Sequence, residues 1–201
     1  MNLLTDDLPS TVQIHGVDYL INTSFFVWVK IEQILCDDID EGDKAALILS
    51  LCYPVVPRNV QAALKQMLWF YACGKEIEDE KDGGKKRSPV YSFVEDDAFI
   101  YAAFLQQYGI DLTESTMHWW KFRALFSAIS EDTRFGYAMK IRGMVLPRGM
   151  NKAEKDHYNE LKRIYALRES GHAKNREEYE RNMLEYVNKR YEEAERQKDG
   201  R

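Results

Sequence analysis

The segment from Tyr101 to Ile129, YAAFLQQYGIDLTESTMHWWKFRALFSAI, limits what the chain can fold into more than any other. It carries seven aromatic residues, a tandem Trp119–Trp120 among them, in two helix-like stretches joined at Gly109. Trp119, Phe122, Phe126 and Ile129 recur at helical spacing with Leu125 beside them, the pattern of a helix–helix core. Polar side chains suited to catalysis are nearly absent from it. Neighbouring helical residues point about 100° apart, so the two adjacent indoles are not expected to share one core. One of them should cover a groove or meet a partner, since indole rings are enriched at interfaces.

The remaining elements follow from local signals. Thr11 to Ile21 alternates apolar and polar residues around His15–Gly16, which predicts a short β-hairpin. A lone hairpin is marginal in water, so it should pack on helices or pair with another chain's edge. Asn22-Thr23-Ser24 caps a helix over Phe25 to Cys36, with Trp28, Ile31 and Leu35 on its buried face and Lys30, Gln33 and Asp37 on its polar one. A second helix is expected over Lys44 to Tyr53, ended by Pro54. A third should start at Pro57 and close at Gly74, burying Val60, Leu64, Met67, Leu68 and Tyr71. Residues 75–89, KEIEDEKDGGKKRSP, read as a charged mobile loop.

Further helices are expected over Phe93 to Tyr108, with Glu95, Asp96 and Asp97 in the first turn, then over Thr113 to Ile129, and from a Ser130 cap to about Arg142. Past Gly143 aromatic residues give way to alternating charges. Two polar helices follow, Lys152 to Arg168 and Asn175 to Gln197. The last has a narrow stripe of Tyr179, Met183, Tyr186, Val187 and Ala194, enough to dock on one partner helix. The sequence therefore predicts a mainly α fold: an N-terminal β-hairpin packed on a small helical bundle over 1–145, and a polar helical C-terminal arm over 150–201.

Several function classes lose ground on composition. The net charge of −5 opposes sequence-independent nucleic-acid binding. Cys36, Cys52 and Cys73 are odd in number and widely spaced, which fits reduced thiols better than disulfides or zinc. No apolar run approaches the roughly 20 residues of a membrane helix, and MNLLTDDLPS lacks a signal-peptide pattern. These features lead to the expectation of a cytoplasmic protein with no membrane partner.

Catalytic readings are weak. Three consecutive helical carboxylates, Glu95-Asp96-Asp97, cannot converge on one ligand and read as helix N-terminal acids. His118 beside Trp119 reads as a core histidine, and His15, His157 and His172 have no second ligand at zinc spacing. Gly83–Gly84 before Lys85-Lys86-Arg87 lacks the strand–loop–helix frame of a phosphate site, and no nucleophile elbow or dinucleotide fingerprint occurs. The expectation is a non-enzyme with no catalytic residues, metal or cofactor.

Beyond these readings, MNLLTDDLPSTVQIHGVDYLINTSF, SLCYP, LKQMLWFYACGK, YSFVEDDAFIYAAFLQQYGIDL and MHWWKFRALFSAISEDTRFG resemble the bacteriophage gene-product-fifteen family over roughly residues 1 to 150. This is a group of small proteins of long-tailed phages and prophages of Gram-positive bacteria. The resemblance brings no catalytic motif. It implies a place in the tail-morphogenesis module beside the tape-measure gene, and a tail assembly chaperone acting in the cytoplasm of the bacterial host. Such a protein would bind the helical tape-measure protein, with a homo-oligomer possible. The alternative is a structural tail component, a terminator or connector subunit, retained in the virion. Binding a long apolar helix calls for helix-in-groove contacts. The candidate partner-binding residues are Trp69, Phe70, Trp119, Trp120, Phe122 and Arg123, with Tyr179, Met183 and Tyr186 on the arm.

Overall fold

The computed structural model of the chain describes residues 2–37, 39–75 and 89–168. In order along the chain come β1 (Thr11–Ile14), β2 (Val17–Leu20), α1 (Phe25–Cys36), α2 (Glu41–Cys52), α3 (Val60–Tyr71), α4 (Asp97–Tyr108), α5 (Trp119–Ser127), α6 (Arg134–Gly143) and α7 (Lys152–Tyr165). The fold is mainly α with one N-terminal hairpin, as the patterning predicts. The 1–145 stretch expected to form one body divides into two compact units. One holds the described residues up to 75 together with Thr116–Arg123; the other holds 89–115 and 124–168. Residues 76–88 and 169–201, with most of the expected charged loop and the last expected helix, lie outside the described residues.

In the first unit the hairpin pairs Ile14 with Val17 and Thr11 with Leu20 across a two-residue turn. His15 and Gly16 both have positive φ (50° and 80°), the signature of the primed turn that matches strand twist. Val12 and Ile14 are buried, and β1 packs on α3. The His15 ring meets the Asn59 side-chain amide at 2.9 Å. The Asn59 side-chain oxygen accepts from Ala62 N at 3.0 Å and so caps α3. Here the expectation of Pro57 as first helical residue is corrected: an asparagine two residues on captures the helix start. Val60, expected on the buried stripe, is exposed, while Ala63 and Phe70 join the core.

α2 likewise begins ahead of the expected Lys44, because the Asp40 carboxylate accepts from Gly42 N at 2.8 Å. After it, the buried Tyr53 hydroxyl donates to Ala63 O at 2.8 Å and closes the elbow into α3.

The second unit packs α6 against α4 and α7 against α6. Phe126, near the end of α5, is its aromatic hub, with ring centroids of Tyr91, Phe93 and Phe135 at 5.0, 5.4 and 5.4 Å. Gln107 and Tyr108 at the end of α4 hold the end of α5 through Leu125 O and the chain after it through Ala128 O and Ser130 N. α6 is capped by Thr133 rather than by the expected Ser130; the Thr133 hydroxyl accepts from Gly136 N at 3.0 Å and donates to Ser130 O at 2.8 Å.

Of the expected 150–201 arm, the described part holds α7, and this helix is docked. α7 lies on α6, where the Tyr165 and Tyr137 rings meet edge to face at 5.7 Å. Lys162 Nζ reaches Arg142 O at 3.3 Å.

Candidate functional site

The aromatic side chains around α5 come together in the first unit, and their arrangement follows from how α5 begins. The expected helix over Thr113 to Ile129 starts only at Trp119. Asp111 ties Thr113 into a turn through the Thr113 amide and hydroxyl at 2.8 and 2.6 Å. Met117 and His118 are then drawn into an extended pairing with Thr23–Phe25: Phe25 N donates to Met117 O at 3.0 Å and Trp119 N to Thr23 O at 2.7 Å. Backbone committed to that pairing cannot also close helical hydrogen bonds.

His118 stands at the helix entrance. Its Nδ1 accepts from Trp120 N at 3.0 Å, and its Nε2 meets Pro9 O at 3.1 Å. Both contacts are satisfied by the neutral ring with its proton on Nε2. Burial lowers the His118 pKa from 6.5, chiefly by desolvation. This histidine is a capping group of half-buried position.

Trp119 and Trp120 are 0% and 3% exposed, so the expectation that one indole is left over is corrected. Their roughly 100° divergence does not separate them into core and surface, because the last turn of α3 lies between them. Trp119 Nε1 donates to Tyr71 O at 3.0 Å, and Trp120 Nε1 donates to Phe70 O at 2.8 Å. Both carbonyls lie in the last turn of α3, which has no amide four residues on within the helix, and Phe70 O is shared with Cys73 N. The two indoles therefore clasp and satisfy a helix end.

The clasp is supported on both sides. Trp119 stacks on Tyr71 (5.7 Å, 15°), Trp28 (6.1 Å, 25°) and Phe122 (5.7 Å, 17°). Trp120 meets Phe70 and Trp69, each at 5.6 Å. Beyond Tyr71 the chain turns through two left-handed residues, Cys73 (φ 57°) and Gly74 (φ 76°). Gly74 N donates to Trp69 O and Cys73 N to Phe70 O, the paired bonds of a Schellman end. A Cβ on Gly74 would stand 2.9 Å from the Trp120 ring, so this glycine also makes room for the clasp.

The predicted partner-binding residues of the mid-chain are thus brought together as core. Phe70, Trp119, Trp120 and Phe122 are buried, and Trp69 is half-buried. Arg123 is turned inward: its guanidinium lies over the Trp119 ring at 5.4 Å and 3.9 Å from the Glu32 carboxylate, which also accepts from the Tyr71 hydroxyl at 2.6 Å. As an exposed docking groove this set is corrected, because its rings serve the α1–α3–α5 packing. Tyr179, Met183 and Tyr186 lie outside the described residues.

Of the acidic triplet, Asp97 stands in the first turn of α4 as expected, and Asp96 takes another role. α4 starts at Asp97, and Asp96 is a buried ion-pair partner of Arg142 at 2.7 and 2.8 Å. Among the described residues no group of three His, Cys, Asp or Glu side chains is placed to hold a metal, and no helix is long and apolar enough to cross a membrane. Burial and the nearby Glu32 push the Cys36 thiol up to about 11, which disfavours a reactive thiolate.

The exposed apolar area of the first unit lies on other residues and includes Phe26 on α1 (56% exposed), Leu47 on α2 (44%), and Val55 and Val60 around the elbow (73% and 46%). Two signals in the sequence pointed to it. PhePheValTrpVal at the start of α1 has more apolar positions than one buried face uses, and Val55–Val56 between two prolines belong to no helix or strand.

Fold and surface together define a mainly α protein with an N-terminal β-hairpin, built by aromatic packing and bearing outward-facing apolar side chains. The chain matches the model of the bacteriophage Gp15 protein over residues 4–167 and belongs to that family. The match runs on from the 1–150 stretch through α7, in keeping with the docking of that helix. The family suggests a phage structural or tail-related protein. No curated protein and no solved structure matches the chain.

Proposed function

We infer that this protein is a phage tail assembly chaperone that binds the tape-measure protein during tail morphogenesis, working by contact and without catalysis in the bacterial cytoplasm. Family membership carries the reading. The acidic balance and the outward-facing apolar side chains of the first unit support it. An apolar helix is kept in solution by laying its apolar stripe on such a surface while the carrier's charges face water. Phe26 and Leu47 replace the aromatic cluster as the residues proposed to meet the partner.

Co-expression with the tape-measure protein of the same phage tests the reading. The expected result is a soluble, co-purifying pair, with recovery reduced by Phe26→Lys or Leu47→Lys while the carrier stays folded. An insoluble tape-measure protein with no co-purification overturns it. Peptide mass spectrometry of purified virions should lack this chain; its presence at subunit stoichiometry would assign it to the tail structure instead.

A further inference from the structure

The outer edge of β2 offers a row of backbone groups that the fold does not use. The two-residue turn makes Ile14–Val17 a hydrogen-bonded pair, followed by Val12–Tyr19 and by Ile21 N to Ser10 O at 3.0 Å. Val17, Tyr19 and Ile21 therefore turn their amides and carbonyls toward β1, and Asp18 and Leu20 turn theirs outward. Among the described residues no backbone bond is made to those outward groups. Val17 and Leu20 on this strand are 54% and 63% exposed. An open edge with exposed apolar side chains is a template for pairing.

We propose that β2 pairs antiparallel with β2 of a second copy of this chain, forming a four-stranded sheet about a two-fold axis at Tyr19. A symmetric pair through the outward residues has three registers. Setting Asp18 opposite Asp18 places like charges face to face, and its next pair would need Gly16, which the turn holds at φ 80°. Setting Leu20 opposite Leu20 next needs the amide of Asn22, already donated to Cys52 O at 2.7 Å. Setting Asp18 opposite Leu20 uses both outward residues of each copy and makes four backbone hydrogen bonds. It keeps the two carboxylates on a diagonal and sets Tyr19 against Tyr19. The edge is thus complementary to itself in one register, as an isologous interface requires. The strands are short, so the association is weak, in the class of small transient contacts. It is independent of which other partner the protein serves.

Sedimentation of the full chain up to about 1 mM should show a reversible monomer–dimer equilibrium. Leu20→Lys, which charges the edge, and Leu20→Pro, which deletes an N–H that β1 does not use, should each weaken the dimer about tenfold or more. The unfolding transition of the monomer should stay in place. Register is read by cross-linking. Tyr19→Cys should form an intermolecular disulfide well above the wild-type background, because facing residues of a non-hydrogen-bonded pair have Cα atoms about 4.5 Å apart. Asp18→Cys, on a diagonal of about 7–8 Å, should not. A wild-type chain that stays monomeric throughout, a dimer indifferent to both Leu20 variants, or equal cross-linking at 18 and 19 overturns the proposal.

Discussion

Arg142 is the residue whose loss should be felt most in the second unit. Its guanidinium donates to Asp96 Oδ2 and Oδ1 at 2.7 and 2.8 Å, to Val90 O at 3.0 Å and to Tyr165 O at 2.6 Å. Asp96 is buried and also accepts from Ser92 N at 2.9 Å. Arg142→Ala leaves that carboxylate without its countercharge, a change that costs about 3–5 kcal/mol when the pair is buried. Two carbonyls lose their donor as well, but these losses overlap with the first and do not simply add. Arg142→Lys keeps the charge and loses the two-pronged grip, so it should cost about 1–2 kcal/mol. Replacing both partners by apolar residues, Asp96→Leu with Arg142→Met, should recover most of the loss. Urea unfolding followed by far-ultraviolet circular dichroism gives the free energies. Hydrogen exchange gives the location: in Arg142→Ala, protection should fall first at 90–96 and along α7, whose last residue the guanidinium holds. An Arg142→Ala cost below about 1 kcal/mol, or loss of protection no greater in α7 than in α4, would refute the assignment of Arg142 as the tie between these segments.

Three further outcomes follow from single residues. Gly136→Ala should destabilise by about 3 kcal/mol or more, since its Cβ would stand 2.1 Å from the Ser130 carbonyl oxygen, which the Thr133 hydroxyl also holds; a shift in urea midpoint measures it. Cys73→Gly should stabilise by about 0.5–1 kcal/mol by relieving a left-handed residue at the end of α3, read as a higher thermal midpoint. His118 has its folded pKa lowered below 6.5, so the unfolded chain binds its proton first. Its contribution is whole above pH 6.5 and is lost as the pH falls from there toward the folded value. His118→Gln should flatten that part of the stability–pH profile, and an unchanged slope would exclude the capping role.

Much of the fold was legible because its signals are local. The hairpin with its His15–Gly16 turn and the limits of α1 depend on residues within a few positions of each other. The departures share a different cause, a partner far along the chain. Asp96 leaves the first turn of α4 for Arg142, and the start of α5 is delayed by backbone pairing with Thr23–Phe25. Nothing near either segment announces these partners. The indole pair failed for the same reason: helical angle alone separates Trp119 from Trp120, whereas the end of α3 gives both a carbonyl. What the sequence did announce was that such a dense aromatic run must organise a core, and that reading holds for the segment even though the groove assigned to it does not.

The four tryptophans, Trp28, Trp69, Trp119 and Trp120, all fall in the first unit, and the second has tyrosines but none of these indoles. Intrinsic tryptophan emission is therefore a private reporter of one half of the molecule. Indole N–H groups engaged by carbonyls and stacked rings should emit to the blue and shift red only when the α3 clasp opens. Far-ultraviolet ellipticity, in contrast, sums the helices of both units. Recording the two signals on one sample asks whether the protein melts as one body or as two, without labels or mutations. The same emission can then show which half responds when a partner is added.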